Sequence, residues 1–267
     1  MVEYNLILKN INNAIDKCSK PKYFSRNTKK KLNTFAKETI NLPYEQVIIL
    51  DPEGNIIYEK RDGDKDNVRI DDYNIADYVV QPDKWVGGND GHLVKQSNKY
   101  NELDIEHNHP TVNGFEGFPA ILSKNDTAKL ASMMNSGFPF RSITAESNNT
   151  RMSLIRKYDK RLIDGSEIDY EYQKELQSKI LECNNHFDKV VTDYVKMYRD
   201  KILEYTNLPA KDMKKYFGDS AEYGDSEIRM NINKKALSDI GSLSDFLDSR
   251  GIIKEYDDAG VILLLEG

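Results

Sequence analysis

Cysteine is scarce: Cys18 and Cys183 are the two in 267 residues. Two thiols so far apart build no disulfide scaffold, which sets aside the small secreted classes, and both read as reduced. Long apolar runs are missing as well, and nothing approaches the roughly twenty apolar residues that cross a bilayer. The start, Met1-Val2-Glu3-Tyr4-Asn5, has neither the basic beginning nor the apolar core of a signal peptide. These absences predict a cytoplasmic chain with no membrane partner. An excess of positive charge is also absent. With 38 Lys and Arg against 44 Asp and Glu, the net charge is −6 and the pI about 5.4. No general nucleic-acid binding is expected, despite the local run Lys29-Lys30-Lys31. Histidine is rare too, four in all, and half of them stand in one tripeptide.

What is present fits a well-solvated globular protein: 39% apolar and 31% charged residues, in a chain long enough for one large core or two small ones. Helical spacing recurs at Leu6, Ile7, Ile11 and Ile15, and again at Leu32, Phe35, Ala36 and Ile40. Residues 1–43 therefore read as a helical N-terminal extension. Val47 to Glu59 reads as strand, turn and strand around Pro52-Glu53-Gly54-Asn55. Ile70 to Lys99 is irregular, and Trp85 within it is a candidate to line a substrate groove. Residues 159–206 carry a long amphipathic helix, from Ile168 through Leu176 and Phe187 to Ile202. His186 on it reads as structural, and His92 as a surface residue. Residues 207–267 read as a small α+β appendage, with a helix over Ser242–Ser249. There Ile252–Tyr256 should pair as a hairpin with a strand at Val261–Leu265. Residues 44–158 remain as the core.

Within that core stands Ile105-Glu106-His107-Asn108-His109-Pro110, followed by Ser123-Lys124-Asn125-Asp126. Histidines at i and i+2 share one face of a strand, because side chains alternate across it. Pro110 cannot donate to a ladder and so ends the strand. Ser123 fits a helix N-cap, which places Asp126 in the first turn. Two imidazoles and one carboxylate, with a fourth position left to water, predict a catalytic zinc site held by His107, His109 and Asp126. A Ser-X-X-Asp capping box is compatible with this, since it would aim the Asp126 carboxylate at the strand end.

His107-Asn108-His109-Pro110 with Ser123-X-X-Asp126 resembles the JAB/MPN metalloprotease signature, also called JAMM, in wording close to its RadC-like and phage-borne prokaryotic branch. The resemblance covers roughly Val47 to Arg156. Glu59, with Gly63 four positions on, stands where that family has a glutamate near the end of a hairpin. Arg141–Ala145 and Met152–Ile155 are similar to the paired strands that close the phage-borne form. The resemblance implies an α+β fold, JAB/MPN-like (cytidine-deaminase-like), with a mixed sheet flanked by helices. It implies a zinc peptidase or isopeptidase that hydrolyses an amide bond in a polypeptide, in a bacterial host or associated with a phage. Glu59 is then the expected general base, and Ser123 the donor to the developing oxyanion. Glu106 is the poorer candidate, since it faces away from the histidines. The loop from Pro110 to Ser123 is longer than the family's usual connection, and Phe115 and Phe118 are expected to anchor it as a substrate-binding flap. A second expectation is a structural or host-interaction protein that uses the fold as a scaffold, without turnover.

Overall fold

Alternation along the strands sorts side chains to two faces, and helices cover each face. The structure is a computed structural model that describes residues 26–39, 42–51, 53–63, 85–87, 93–95, 103–110, 117–135, 140–148, 150–157, 170–217 and 226–266. The helix expected over Tyr4–Lys17, His92 and Phe115 lie outside these residues. The strands are β1 (Val47–Leu50), β2 (Ile56–Lys60), β3 (Trp85–Gly87), β4 (Leu93–Lys95), β5 (Leu103–Asn108), β6 (Phe140–Ser147), β7 (Thr150–Arg156) and β8 (Val261–Glu266). The helices are α1 (Arg26–Thr39), α2 (Lys124–Asn135), α3 (Tyr170–Thr206), α4 (Ala210–Phe217), α5 (Ser226–Ile240), α6 (Leu243–Ser249) and α7 (Ile252–Asp258). Six strands form one sheet in the order β2-β1-β5-β6-β7-β8, and β3 and β4 form a separate ribbon. The sheet is mixed: β5 and β6 run parallel, and the other neighbours antiparallel. A parallel pair needs a crossover, and α2 lies in it. The architecture is α+β, a mixed sheet flanked by helices.

One face of the sheet presents Val47, Ile49, Ile105, Ala145 and Leu154 to the core completed by Leu130 of α2 and by Ile180, Phe187 and Tyr194 of α3. The other presents Ile48, Leu50 and Ile155 to Leu32 and Phe35 of α1. Strand β1 is buried along its whole length, which is why it is the unbroken apolar run Val-Ile-Ile-Leu. Helix α1 sits on the β1–β2 turn, where Asn27 Nδ2 donates to the Glu53 carbonyl at 2.7 Å. Gly54 makes that approach possible. Its φ is +81°, and a Cβ there would come within 2.5 Å of the Thr28 nitrogen.

The C-terminal region departs from expectation in two ways. Ile252–Tyr256 is not a hairpin strand but belongs to α7. Gly251 at φ +77° separates α6 from α7, and Ile252 and Tyr256, one turn apart, are both fully buried. Three apolar residues among five, Ile252, Ile253 and Tyr256, fit either period, and the tertiary contacts chose the helical one. Nor is the region an appendage. Strand β8 pairs with β7 from Arg151↔Glu266 to Arg156↔Val261, and Ile232, Ala236, Leu247 and Tyr256 belong to the same core as Val47 and Ile105. Within the interval expected to be irregular, β3 and β4 pair, with Trp85 opposite Lys95. The side chain of Trp85, and with it the groove-lining expectation, lies outside what the structure describes. Among the described residues no helix is long and apolar enough to cross a membrane.

Candidate metal centre

His107 lies near the end of β5, paired with Val47 of β1 and Ala145 of β6 on the α2 side of the sheet. His109 follows two residues later, with its backbone N–H donating to the Glu146 carbonyl at 2.7 Å. The residue between them acts as a clamp. Asn108 donates its backbone N–H to the Gln46 carbonyl (3.2 Å), accepts the Gln46 N–H on Oδ1 (2.7 Å) and donates Nδ2–H to the Tyr44 carbonyl (3.1 Å). These bonds tie the end of β5 to the segment leading into β1. They hold the backbone from which both imidazoles project.

Asp126 arrives from the start of α2. The Ser123 N–H donates to Asp126 Oδ2 (2.7 Å) while the Asp126 N–H donates to Ser123 Oγ (3.3 Å), a reciprocal capping box. The carboxylate is thereby turned towards the histidines. Asp126 Oδ1 is 3.2 Å from His107 Nε2, Oδ2 is 3.5 Å from His109 Nε2, and the two Nε2 atoms are 2.9 Å apart. A tetrahedral zinc with bonds of about 2.0–2.1 Å sets its ligand atoms about 3.3 Å apart. The three separations bracket that value. Among the described residues this is the one cluster of three potential ligands. The His107 side chain is 5% exposed, Asp126 17% and His109 23%, so the cluster is closed at the sheet and open beyond it. Burial alone would push the Asp126 carboxyl upward, but His107 and then His109 outweigh it and hold the group well below the usual carboxylate range. Asp126 is an anion set to ligate a cation.

The glutamate expected to serve this centre is not there. Glu59 pairs with Ile48, which in turn pairs with Glu106, so Glu59 belongs to the α1 side of the sheet, opposite the histidines. Its side chain is 38% exposed and ion-paired with Arg61. Strand alternation decides this, and the spacing of Glu59 from Gly63 says nothing about it. Another carboxylate, Glu45, precedes β1 by two residues. The Gln46–Asn108 bonds carry the β1–β5 register one place beyond Val47↔His107. Glu45 is half-buried and lies one further place along the chain, before the paired residues of β1 begin. Glu45 does alternate in phase with Val47 and Ile49. That phase bears on the cluster only because β1 neighbours β5.

The remaining expected residues divide. Ser123 is exposed, and its Oγ accepts within the capping box, so its own hydrogen stays available to donate outward. Phe118, expected to bind substrate from a flap, is buried instead, its ring 4.7 Å from that of Tyr198 and 5.9 Å from that of Tyr194. The loop around it is pinned to the β6–β7 turn: Asn148 Nδ2 donates to the Phe118 carbonyl (2.9 Å) and the Ala120 N–H donates to Thr150 Oγ1 (2.6 Å). Phe118 is a core anchor. On the opposite side of β5, Glu106 is fully buried, with Arg151 at 3.6 Å. Burial, and then the neighbouring Glu146, push its carboxyl well above the ordinary range, and the nearby Arg151 does not offset them. Glu146 lines a cleft beside His109, together with Thr39, Asn108 and Asn148, but its carboxylate is held by Arg151. No family model, curated protein or solved structure matches the chain.

Proposed function

We propose that the chain is a zinc-dependent hydrolase of the JAB/MPN type that cleaves an amide bond in a polypeptide, as a peptidase or isopeptidase. The observation that carries this reading is the convergence of His107 Nε2, His109 Nε2 and Asp126, with ligand atoms 2.9–3.5 Å apart. The donor set is that of zinc sites that keep one position open for chemistry. Zinc held there would supply Lewis acidity and an acidified water. The chain's own residues account for the rest. Glu45, in phase with Val47 just before β1, takes the role first expected of Glu59: its carboxylate accepts a proton during attack on the carbonyl and returns it to the leaving amine. Ser123, at the mouth of the α2 cap, directs its O–H towards charge that develops on the substrate oxygen. Asn108 does no chemistry and holds both histidines in register.

The test is the metal content of the purified full chain, wild type against His107→Ala/His109→Ala. One zinc per chain in the wild type, lost in the double variant, is expected. Absence of zinc from reconstituted wild-type protein overturns the proposal. Should zinc bind while Glu45→Gln leaves every measured property unchanged, the scaffold role without turnover is the better account.

A further inference from the structure

We infer that Asn184 and Tyr256 position the zinc-binding end of α2, an inference that rests on the metal-centre reading above. Thr127 follows Asp126 directly, and its peptide is held from both sides. Its N–H donates to the Ser123 carbonyl at 3.1 Å, inside the first turn of the helix. Its carbonyl accepts from Nδ2 of Asn184, on the long helix α3, at 2.9 Å. Asn184 is itself held, because Tyr256 of α7 donates its O–H to Asn184 Oδ1 at 2.8 Å. The amide can stand only one way round: a backbone carbonyl can only accept, so the NH₂ group must face Thr127 and the oxygen must face the phenol. Thr127, Asn184 and Tyr256 are all buried. In such surroundings a hydrogen bond left without its partner is costly, so the chain of bonds has one favourable geometry.

The consequence concerns the site. His107 and His109 are placed by the sheet through Asn108, whereas Asp126 is placed by a helix that packs on the sheet through apolar side chains such as Leu130, contacts that fix its position less sharply than directed hydrogen bonds do. Asn184 supplies such a bond, and Tyr256 holds Asn184 in place. Two contacts from outside residues 44–158 thus decide how closely Asp126 approaches the imidazoles. Neither residue touches the metal position, and both act through the peptide next to Asp126. Partners of this kind orient ligands and tune metal affinity.

A matched control lies in the same core: Tyr194 of α3 donates its O–H to the Gly241 carbonyl at 2.8 Å, a hydrogen bond that does not involve α2. The experiment compares wild type, Tyr256→Phe and Tyr194→Phe as full chains. Each variant loses one buried phenolic hydrogen bond. Three quantities are read: the melting temperature, zinc affinity by chelator competition, and the visible absorption of the cobalt-substituted protein, which reports coordination geometry. Both variants should melt earlier. Only Tyr256→Phe should bind zinc more weakly, by roughly tenfold, with an altered cobalt spectrum. Asn184→Leu should reproduce the metal effect if it folds, and Tyr256→Phe alone decides the matter if it does not. Equal effects of the two tyrosine variants at the metal, or none from either, overturn the positioning role while leaving the metal centre intact. Wild-type protein that binds neither zinc nor cobalt overturns the metal centre itself, and this inference with it.

Discussion

At the scale of single residues, the site turns on which face of a strand a carboxylate occupies. Glu59 on β2 is sent to the α1 side by its register, whereas Glu45, just before β1, alternates in phase with Val47, the partner of His107. Glu45→Gln keeps the shape and removes proton acceptance, so it should retain fold and zinc while hydrolysis falls by about 10²–10⁴-fold. Glu59→Gln should leave the rate unchanged, and parallel assays of the two variants check the assignment. Glu106 supports a prediction of a different kind. Burial, and then Glu146, hold its folded carboxyl well above the usual carboxylate range, so the folded state binds the extra proton. The stabilisation this gives is complete at low pH and is lost as pH rises from that range towards the folded value. Glu106→Gln, neutral at every pH, should resist denaturant better than wild type at about pH 8 and no better at about pH 4. Parallel profiles for the two proteins across that range would falsify this placement of the charge. The cluster of His107, His109 and Asp126 was legible in the sequence because His-X-His and Ser-X-X-Asp each carry their own geometry. The proposed base was not, because the pairing of strands β1 and β5, more than fifty residues apart in the chain, is written in no local pattern.

Single elements were legible where one period dominates. Helix α3, with 37 residues, and the β1–β2 and β6–β7 hairpins emerge from spacing alone. Helix α7 did not, since Ile252, Ile253 and Tyr256 suit a strand or a helix, and burial on both sides of Gly251 made the choice. The contact between α1 and the β1–β2 turn was hidden for another reason. Gly54 marks a turn in any sequence, but nothing local reveals that a helix backbone rests against it. Gly54→Ala must bear a left-handed conformation, at about 1–2 kcal/mol, and must also push Thr28 away. A loss of about 2 kcal/mol or more in chemical denaturation is therefore expected, with α1 proteolysed more readily. A loss well below that would mean that α1 can lift from the turn at little cost.

For the whole molecule, the boundary expected near residue 207 does not exist, since β8 completes the sheet and α5 to α7 share the core of β1 and β5. Removal of residues 207–267 should leave not a smaller folded domain but a chain without dispersed amide resonances or zinc affinity. A folded, zinc-binding fragment 1–206 would restore the appendage. Composition could not foresee this, because a strand added to a sheet edge and a strand in a separate hairpin bury the same residues. The parallel pair β5–β6 has one more effect. It brings the end of a strand and the start of the following helix to the same end of the sheet, with the loop 110–123 between them. Zinc bound by His107, His109 and Asp126 would close that loop as a covalent cross-link does, reducing the freedom of the unfolded chain by an amount worth about 3 kcal/mol for a loop of comparable length. A protein with two distant cysteines would thus have a removable staple, which chelation would open.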